Sequence, residues 1–340
     1  MRAVAVNFEN HKVELRSVPE PDAVGDGEVL FRVHQIGVCG TDREVAGIRL
    51  VQPPPGDSHL TIGHEALGQI VATGSNVDSL QPGDWVVPMV RRPCAACIPC
   101  SDGRSDLCAS GDYVERGIVR LHGYFSDYAV DDRRYLLTVP AGLLDVAILI
   151  EPLSAVEKAV AVALNMHNRY YSFDPPRALV LGAGTIGILA ALVLRARGFD
   201  VAVASLEERD HPRGRVLESA GIPYTTVDRA PQADIVIEAA GSADALTNGA
   251  RSLERNGVMV ILGAPNATAA FPYRDLIVRN QSLIGSVNAS MESFEQALAD
   301  LARFDRRVLD AMIHRVRFDD FERSLLGPLG PYPKIVHMLV

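Results

Sequence analysis

The stretch ALVLGAGTIGILAALVLR, residues 178–195, decides the fold of this chain. Its first four residues are apolar and predict a buried β-strand. The sequence GAGTIG at 182–187 predicts a tight turn, and residues 186–195 place apolar side chains at helical spacing with very little charge. A strand, a glycine turn and a helix in this order are the unit from which doubly wound parallel sheets are built. The stretch therefore predicts an α/β domain.

The glycines of this turn have the spacing of a dinucleotide-binding loop. Gly182 allows the tight turn, Gly184 lets the backbone approach a pyrophosphate, and Gly187 lets the helix pack closely on the strand. Thr185 and Ile186 lie at the start of the helix, where free backbone N–H groups face a bound anion. We predict that these five residues bind a dinucleotide cofactor.

The alternation of predicted strands and helices continues toward the C-terminus. Apolar segments at 201–204, 235–237 and 258–262 are separated by stretches long enough for crossover helices. This arrangement predicts a parallel, doubly wound sheet, to which we assign residues 155–288. We expect the remaining segment, 289–340, to return to the first domain, because it is too short to form a third one.

The first half of the chain differs, because β-branched residues there alternate with turns. Short strands are predicted at 29–33, 69–73 and 85–87, the last of them after the turn sequence QPGD at 81–84. Short strands in succession are typical of a barrel-like β domain. We assign residues 1–154 to this domain.

Composition excludes several classes of protein. The chain has 33 Lys+Arg against 42 Asp+Glu, a net charge of −9, and 48% of its residues are hydrophobic while 22% are charged. The hydrophobic content argues against a disordered chain, and the negative charge argues against a nucleic-acid or anionic-membrane partner. Apolar runs stay below the roughly 18 residues of a transmembrane helix, and the N-terminus lacks a signal-peptide core. We expect a soluble, cytoplasmic protein.

Cofactor preference is predicted from the sequence LEERD at 206–210, which follows the second strand of the sheet, where an adenosine ribose would lie. Glu207 and Glu208 can accept hydrogen bonds from the ribose 2′-hydroxyl and would repel a 2′-phosphate. Arg209, or Arg213 further on, could instead pair with that phosphate. We predict that Glu207, Glu208 and Arg209 contact the cofactor, with NAD preferred and NADP as the open alternative.

Four of the five cysteines are clustered in a loop rich in Pro, Ala, Ser, Asp and Gly. They are Cys94, Cys97, Cys100 and Cys108. Four thiolates at this spacing can surround one tetrahedral ion and leave no position for water, which is typical of structural zinc. An iron–sulfur cluster or a disulfide pair would fit the same spacing. An intracellular chain disfavours the disulfides, and the predicted nicotinamide site leaves a cluster without a redox role.

The fifth cysteine, Cys39, follows a predicted strand, and His64 and Glu65 precede another. A thiolate, an imidazole and a carboxylate from separate segments are typical of a catalytic zinc site that keeps a position open for water or an alcohol. Glu151, at the boundary between the domains, is a further candidate ligand. Which of the two glutamates binds zinc in the resting state stays open.

These residues resemble those of a known family. The sequences CGTD at 39–42 and GHEALG at 63–68, with the four cysteines and the glycine loop, are similar to the zinc-dependent medium-chain alcohol dehydrogenases along nearly the whole chain. Within that family, CGTDRE at 39–44, EPLSAVEK at 151–158 and SVN at 286–288 are most similar to the archaeal-type glucose, or aldose, dehydrogenases.

The resemblance implies the architecture and the activity of the protein. The expected fold is a GroES-like β-rich catalytic domain with a structural-zinc loop at about 90–110, joined to a Rossmann domain. The expected reaction is zinc-dependent oxidation of an aldose at C1 to the lactone, with hydride transfer to NAD(P). One catalytic and one structural zinc ion per chain and a homodimer or homotetramer are also implied.

The resemblance also implies roles for the residues around the catalytic zinc. Cys39, His64, Glu65 and Glu151 match the family's zinc positions, and one of the two glutamates exchanges with water during turnover. Thr41 matches the hydroxyl that relays the substrate proton.

Further matches concern the substrate. Glu44 stands where classical alcohol dehydrogenases continue the proton relay with a histidine. Glu115, Glu151 and Asn288 match the positions expected to bind sugar. Ala155 departs from the pattern, because some relatives have a substrate-binding aspartate there.

Two other functions stay open at this point. A polyol, secondary-alcohol or amino-alcohol dehydrogenase of the same family would use the same zinc and nicotinamide sites. A non-catalytic nucleotide-binding protein would share the fold, which by itself excludes no function. The complete set of zinc ligands argues against this last interpretation.

Overall fold

The computed structural model describes residues 1–21, 24–48, 51–169, 175–263, 268–271, 273–328 and 330–339. The strands are β1 (Arg2–Asn7), β2 (Lys12–Ser17), β3 (Glu28–Val38), β4 (His59–Thr61), β5 (Glu65–Thr73), β6 (Trp85–Pro88), β7 (Arg91–Arg92), β8 (Val114–Arg116), β9 (Arg120–Leu121), β10 (Tyr128–Asp132), β11 (Leu136–Thr138), β12 (Arg177–Leu181), β13 (Asp200–Ser205), β14 (Tyr224–Thr226), β15 (Ala233–Glu238), β16 (Leu253–Ile261), β17 (Ser282–Gly285), β18 (Ile313–Arg317) and β19 (Lys334–Met338).

The helices are α1 (Gly40–Ala46), α2 (Ile98–Ser101), α3 (Ile150–His167), α4 (Thr185–Ala196), α5 (Pro212–Ser219), α6 (Ala243–Arg251), α7 (Tyr273–Val278), α8 (Met291–Leu301), α9 (Arg306–Met312) and α10 (Phe321–Leu326). Short 3-10 turns connect several of these elements. None of the helices in the described ranges combines the length and the apolar character that crossing a bilayer requires.

The N-terminal half is built on antiparallel strands. The larger sheet has the order β11-β6-β5-β3-β19-β18, and β10 pairs with β3 outside this path. The strands predicted at 29–33, 69–73 and 85–87 lie within β3, β5 and β6, which confirms them. The C-terminal strand β19 runs antiparallel to β3, so the end of the chain is a central part of this sheet.

The C-terminal half contains the predicted parallel sheet, with the order β14-β13-β12-β15-β16-β17. All of these strands pair in parallel, which confirms the doubly wound fold. The strand order reverses between β12 and β15. In doubly wound sheets, the carboxyl ends of the strands at such a reversal form the crevice that binds a ligand.

The glycine turn after β12 has the backbone that a dinucleotide loop needs. Gly182 has a φ of +103°, and a Cβ there would lie 2.9 Å from the amide nitrogen of Ala240 in the loop after β15. A Cβ at Gly187 would meet the carbonyl oxygen of Gly182. Gly184 precedes α4, and a Cβ there would meet no atom within 4 Å. The loop is therefore closely packed on the protein side and open at Gly184.

Helix α3 joins the two halves, because it contacts β5 and β6 of the antiparallel sheet as well as β15, β16, α4 and α8. The sequence SAVE at 154–157 resembles a helix-capping box, but Ser154 lies inside α3, and its hydroxyl donates to the Glu151 carbonyl at 2.6 Å. The proposed division between residues 154 and 155 falls within this helix. The domain limits 1–154, 155–288 and 289–340 stay predictions.

A buried carboxyl pair connects α3 to α8. Glu157 and Asp300 both bind the Arg197 guanidinium, at 2.9 and 2.7 Å. Burial raises the pKa of Glu157 to about 8, and the neighbouring Asp300 carboxylate adds to this rise. Arg197 therefore contacts two carboxyl groups, of which Glu157 keeps its proton at neutral pH.

We predict that Glu157→Gln stabilises the protein increasingly as the pH rises. The unfolded chain releases the Glu157 proton near pH 4.5, whereas the folded chain keeps it to about pH 8, so folding becomes less favourable across this interval. Glutamine resembles the protonated carboxyl and carries no such cost. Between about pH 5 and pH 8, the variant should gain about 1–3 kcal/mol in unfolding free energy relative to the wild type.

Chemical denaturation at several pH values measures this difference. Glu295→Gln is the matched control, because Glu295 is exposed on the same helix as Asp300. A constant difference between Glu157→Gln and the wild type across this interval would contradict the interpretation that folded Glu157 keeps its proton.

Candidate functional site

Cys39 is held in place by the start of α1. It is the residue before the helix, its backbone N–H donates to Asp42 Oδ2 at 2.8 Å, and its Sγ accepts from the Thr41 N–H at 3.2 Å. This reciprocal arrangement is a capping box in which cysteine replaces the usual serine or threonine. The thiol is therefore fixed by the local sequence CGTD.

His64 lies next to this thiol. Its Nε2 is 3.3 Å from Cys39 Sγ, and its Nδ1 is 3.1 Å from Asp42 Oδ1. Burial opposes charge on both side chains, but their mutual attraction outweighs it: the pKa of Asp42 is lowered and that of His64 is raised well above its usual range. Asp42 was not predicted as a site residue, although its position three residues after Cys39 is the capping position.

Glu65 is buried against a residue that the sequence analysis missed. Lys334 Nζ donates to Glu65 Oε1 at 2.6 Å and to the Val38 carbonyl at 3.2 Å, and both charged side chains are 1% exposed. Lys334 begins β19, and Glu65 begins β5, on either side of β3. The rarity of lysine was the available signal, since Lys12, Lys158 and Lys334 are the three in the chain.

The predicted metal ligands come together in part. Within the described ranges, ligand atoms of Cys39, His64 and Glu65 all lie within 4.8 Å of one another. Tetrahedral zinc with Zn–S of about 2.3 Å and Zn–N of about 2.0 Å places sulfur and nitrogen about 3.5 Å apart, close to the 3.3 Å seen here. The donor set therefore fits a zinc ion.

Glu151 lies outside this three-residue group. It occupies the first turn of α3 and is half-buried. Burial raises its pKa to about 7, and the nearby charge of Glu65 contributes to the rise. The charges of the cluster therefore influence the pKa of Glu151, while Glu65 is bound to Lys334.

The four clustered cysteines also come together. Their sulfur atoms lie within 4.8 Å of one another, all four are free, and Cys97 Sγ is 3.9 Å from Cys108 Sγ. A tetrahedral zinc–thiolate site requires sulfurs about 3.8 Å apart. The Ala109 N–H donates to Cys97 Sγ at 3.4 Å. This donor set fits a tetrahedral ion with four sulfur ligands.

Two of the predicted substrate residues meet directly, although they are far apart in the sequence. Asn288 Nδ2 donates to Glu115 Oε1 at 2.7 Å.

The two predicted proton-relay residues lie on α1. Thr41 is exposed, and Glu44 is half-buried in the next turn of this helix, beside a surface hollow that Leu325 and Leu326 also line. The structure thus brings Glu115 and Asn288 together and places Thr41 beside the metal ligands.

The predicted cofactor residues are divided between the helix start and the loop after β13. The Thr185 hydroxyl donates to the Pro333 carbonyl at 2.6 Å, and Ile186 is half-buried and packs against the core. Glu207 Oε1 accepts from Arg213 Nη1 at 2.6 Å, whereas Glu208 and Arg209 are exposed. Of the two glutamates, Glu207 therefore has the fixed position.

Comparisons with known proteins agree on one family. A family model described as the alcohol dehydrogenase GroES-like domain matches residues 25–141, and one described as the glucose dehydrogenase C-terminus matches residues 144–325. Glucose 1-dehydrogenase 1 of Vulcanisaeta moutnovskia is 38% identical over 335 residues, 95% of each chain. Glucose 1-dehydrogenase of Thermoproteus tenax is 36% identical over 338 residues, 94% of this chain and 95% of the relative.

A solved structure is similar over the same length. Glucose dehydrogenase of Haloferax mediterranei, in complex with NADP, zinc and gluconolactone, superimposes with a TM-score of 0.90 and 30% identity. The match covers 100% of this chain and 99% of that one.

We predict that Lys334→Met destabilises the metal-free protein and that zinc restores part of the loss. The substitution leaves the buried Glu65 carboxylate without its counter-ion, which costs on the order of 3 kcal/mol. A zinc ion at Cys39 and His64 would compensate the same charge. Thermal unfolding of chelator-treated protein, with and without added zinc, measures both effects.

Lys12→Met is the matched control, because Lys12 is exposed on β2. Equal unfolding temperatures for the two variants, or a Lys334→Met loss that zinc leaves unchanged, would contradict the interpretation.

Proposed function

Since the chain belongs to the glucose dehydrogenase branch of the zinc-dependent alcohol dehydrogenases, we propose that it oxidises an aldose at C1 to the lactone. The hydride passes to NAD(P). The relatives named above are glucose 1-dehydrogenases, and the Haloferax enzyme is described with NADP, zinc and gluconolactone. A glucose-like sugar is therefore the expected substrate.

The contact between Asn288 and Glu115 is the observation that supports this function best. An amide and a carboxylate that meet from separate halves of the chain provide both a donor and acceptors for ring hydroxyls. A site for a simple alcohol needs no such pair. The specificity for a polyhydroxylated substrate thus has a chemical basis in these two residues.

Cys39, His64 and Glu65 would hold the catalytic zinc ion, with Glu151 as the carboxylate that joins or replaces Glu65. When bound, zinc stabilises negative charge on the substrate oxygen, and the nicotinamide accepts the hydride. The chain itself supplies orientation. Asp42 keeps the His64 ring turned with Nε2 toward Cys39.

Residues of α1 transfer the proton in this proposal. Thr41 lies two residues from Cys39, and its exposed side chain gives a substrate proton a path to solvent. Glu44 stands one turn further along the same helix, where it can accept this proton. Cys94, Cys97, Cys100 and Cys108 would hold a second, structural zinc ion.

NAD is the preferred cofactor in this proposal, although the Haloferax neighbour is described with NADP. Glu207 lies beyond the end of β13, and the Tyr224 hydroxyl donates to its carbonyl at 2.6 Å. Its carboxylate would repel a 2′-phosphate and also occupies Arg213, the nearby cation that could bind this phosphate. Gly182, Gly184 and the start of α4 would hold the pyrophosphate.

A polyol, secondary-alcohol or amino-alcohol dehydrogenase is the second candidate. Ala155 favours it, because a methyl group there offers no hydrogen bond to a sugar. The proposal also includes a homodimer or homotetramer, supported by the exposed apolar side chains of Tyr273, Ile277 and Val278 on α7. The proposed location is the cytoplasm.

We predict that the purified protein reduces NAD in the presence of aldoses and that Cys39→Ser abolishes this turnover. Absorbance of reduced nicotinamide with glucose, galactose, xylose, arabinose, sorbitol and simple alcohols measures the activity. Metal analysis should find two zinc ions per wild-type chain and one in Cys39→Ser, with dinucleotide binding nearly unchanged.

Cys97→Ser is the matched control, because it should lose the other zinc ion and lower the unfolding temperature more than it changes catalysis by the folded fraction. Turnover of polyols or simple alcohols alone would reject the sugar assignment and favour the second candidate.

We predict that Glu207→Gln shifts the preference toward NADP. The substitution removes the charge that repels the 2′-phosphate and releases Arg213 to bind it. The ratio of kcat/KM for NADP to that for NAD should rise about 10- to 100-fold, the range expected for one or two charged hydrogen bonds. Glu295→Gln is the control, because Glu295 is exposed on α8 and pairs with none of the predicted cofactor residues. An unchanged ratio in Glu207→Gln would count against this role.

A further inference from the structure

The carboxylate of Glu115 is held by two donors on the same oxygen. β7 and β8 pair with Arg91 opposite Glu115, and Arg91 Nε donates to Glu115 Oε1 at 2.9 Å. Asn288 Nδ2 donates to the same Oε1 at 2.7 Å. Among the described residues, Oε2 has no hydrogen-bond partner. The carboxylate is therefore fixed through one oxygen, and the other is available as an acceptor.

Lys158 controls the backbone that carries Asn288. This lysine is buried in α3, and its Nζ donates to the Val287 carbonyl at 2.9 Å. That carbonyl belongs to the peptide group that precedes Asn288, which has a φ of +65°. Few residue types other than glycine adopt this left-handed conformation readily, and asparagine is one of them. The hydrogen bond from Lys158 thus fixes the peptide plane that directs the Asn288 amide.

Asp106 joins Lys158 to Arg91. Lys158 Nζ lies 2.9 Å from Asp106 Oδ2, and Arg91 Nη1 donates to the Asp106 carbonyl at 3.4 Å. Arg104 also pairs with the Asp106 carboxylate, through two hydrogen bonds of 2.9 Å. Asp106 therefore contacts both cations that hold the Glu115–Asn288 pair.

Protein stability alone does not explain the buried charges of Lys158, Asp106 and Arg91. Replacing a buried ion pair by apolar side chains of similar volume is often neutral or stabilising, because the desolvation of the charges offsets their attraction. What a hydrogen-bonded pair provides, and an apolar pair does not, is a defined direction for each group that it touches. Here the groups touched are a backbone carbonyl next to Asn288 and the arginine on Glu115.

We propose that Lys158 is a positioning residue for the sugar. Through Val287 it sets Asn288, and through Asp106 and Arg91 it supports Glu115, so that Oε2 accepts a hydrogen bond from one ring hydroxyl. This inference rests on the proposed function, since it deepens the assignment of Glu115 and Asn288. The substrate class is a sugar that presents a ring hydroxyl to Glu115 Oε2, and the deoxy sugar that lacks this hydroxyl is rejected.

Lys158→Met removes the donor and keeps most of the side-chain volume. Kinetics with glucose and its 2-, 3-, 4- and 6-deoxy analogues then tests the proposal. In the wild type, at least one analogue should lose about 100-fold or more in kcat/KM, because a site built to bind a hydroxyl is left unpaired. In Lys158→Met, this penalty should fall below about 10-fold, and KM for glucose should rise about 10-fold while kcat changes little.

Calorimetry with gluconolactone and the protein–NADH complex measures the same loss without turnover. Its dissociation constant should rise about 10-fold in Lys158→Met, in parallel with KM.

Arg197→Met is the matched control. Arg197 pairs with buried Glu157 and Asp300 at the α3–α8 contact, and Glu157 is the neighbour of Lys158 in α3. Its loss should lower the unfolding temperature and leave the discrimination among deoxy sugars unchanged. If Lys158→Met and Arg197→Met change this discrimination equally, Lys158 is merely structural and the proposal is wrong.

Lys158→Gln decides the case if the methionine variant does not fold. Glutamine keeps a donor for Asp106 but is too short to reach the Val287 carbonyl as well, so the same loss of discrimination is expected. Wild-type discrimination in this variant would overturn the positioning role alone. A wild-type protein that neither oxidises an aldose nor binds gluconolactone would reject the proposed function itself.

Discussion

The ion pair between Lys334 and Glu65 is the constraint on which the candidate metal site depends. Both side chains are 1% exposed, and a buried charge without a partner costs several kcal/mol. The pair can form only when β19, near the C-terminus, lies beside β3 and brings Lys334 to the start of β5. The position of β19 in the sheet therefore decides whether the Glu65 carboxylate has a counter-ion.

Helix α3 positions two further residues of the candidate site. Glu151 in its first turn approaches the metal ligands, and two turns later Lys158 contacts the peptide before Asn288. Between them, packing against both sheets fixes the helix. One helix that packs on both sheets therefore carries, two turns apart, the carboxylate proposed for the metal and the cation proposed to position the sugar residues.

Local signals predicted the parts of the site that depend on local structure. Gly182 and Cys39 belong to short segments in which the backbone itself, a glycine turn or a helix cap, creates the chemistry. The capping-box pattern at 154–157 does not mark the start of a helix, because α3 already begins at Ile150. Lys334 and Arg91 were missed, since their partners come from other strands and neither lies in a recognisable motif.

The sequence by itself determined the doubly wound fold, the glycine loop and the two groups of metal-ligand types. These features depend on residue types and on their spacing along the chain, which the sequence shows directly. Only the tertiary structure decided which cation each of the candidate site carboxylates pairs with. Glu65 is bound by Lys334, Glu207 by Arg213, and Glu115 through one oxygen by Arg91. The physical reason is that pairing of buried charges depends on distances across strands and helices far apart in the chain.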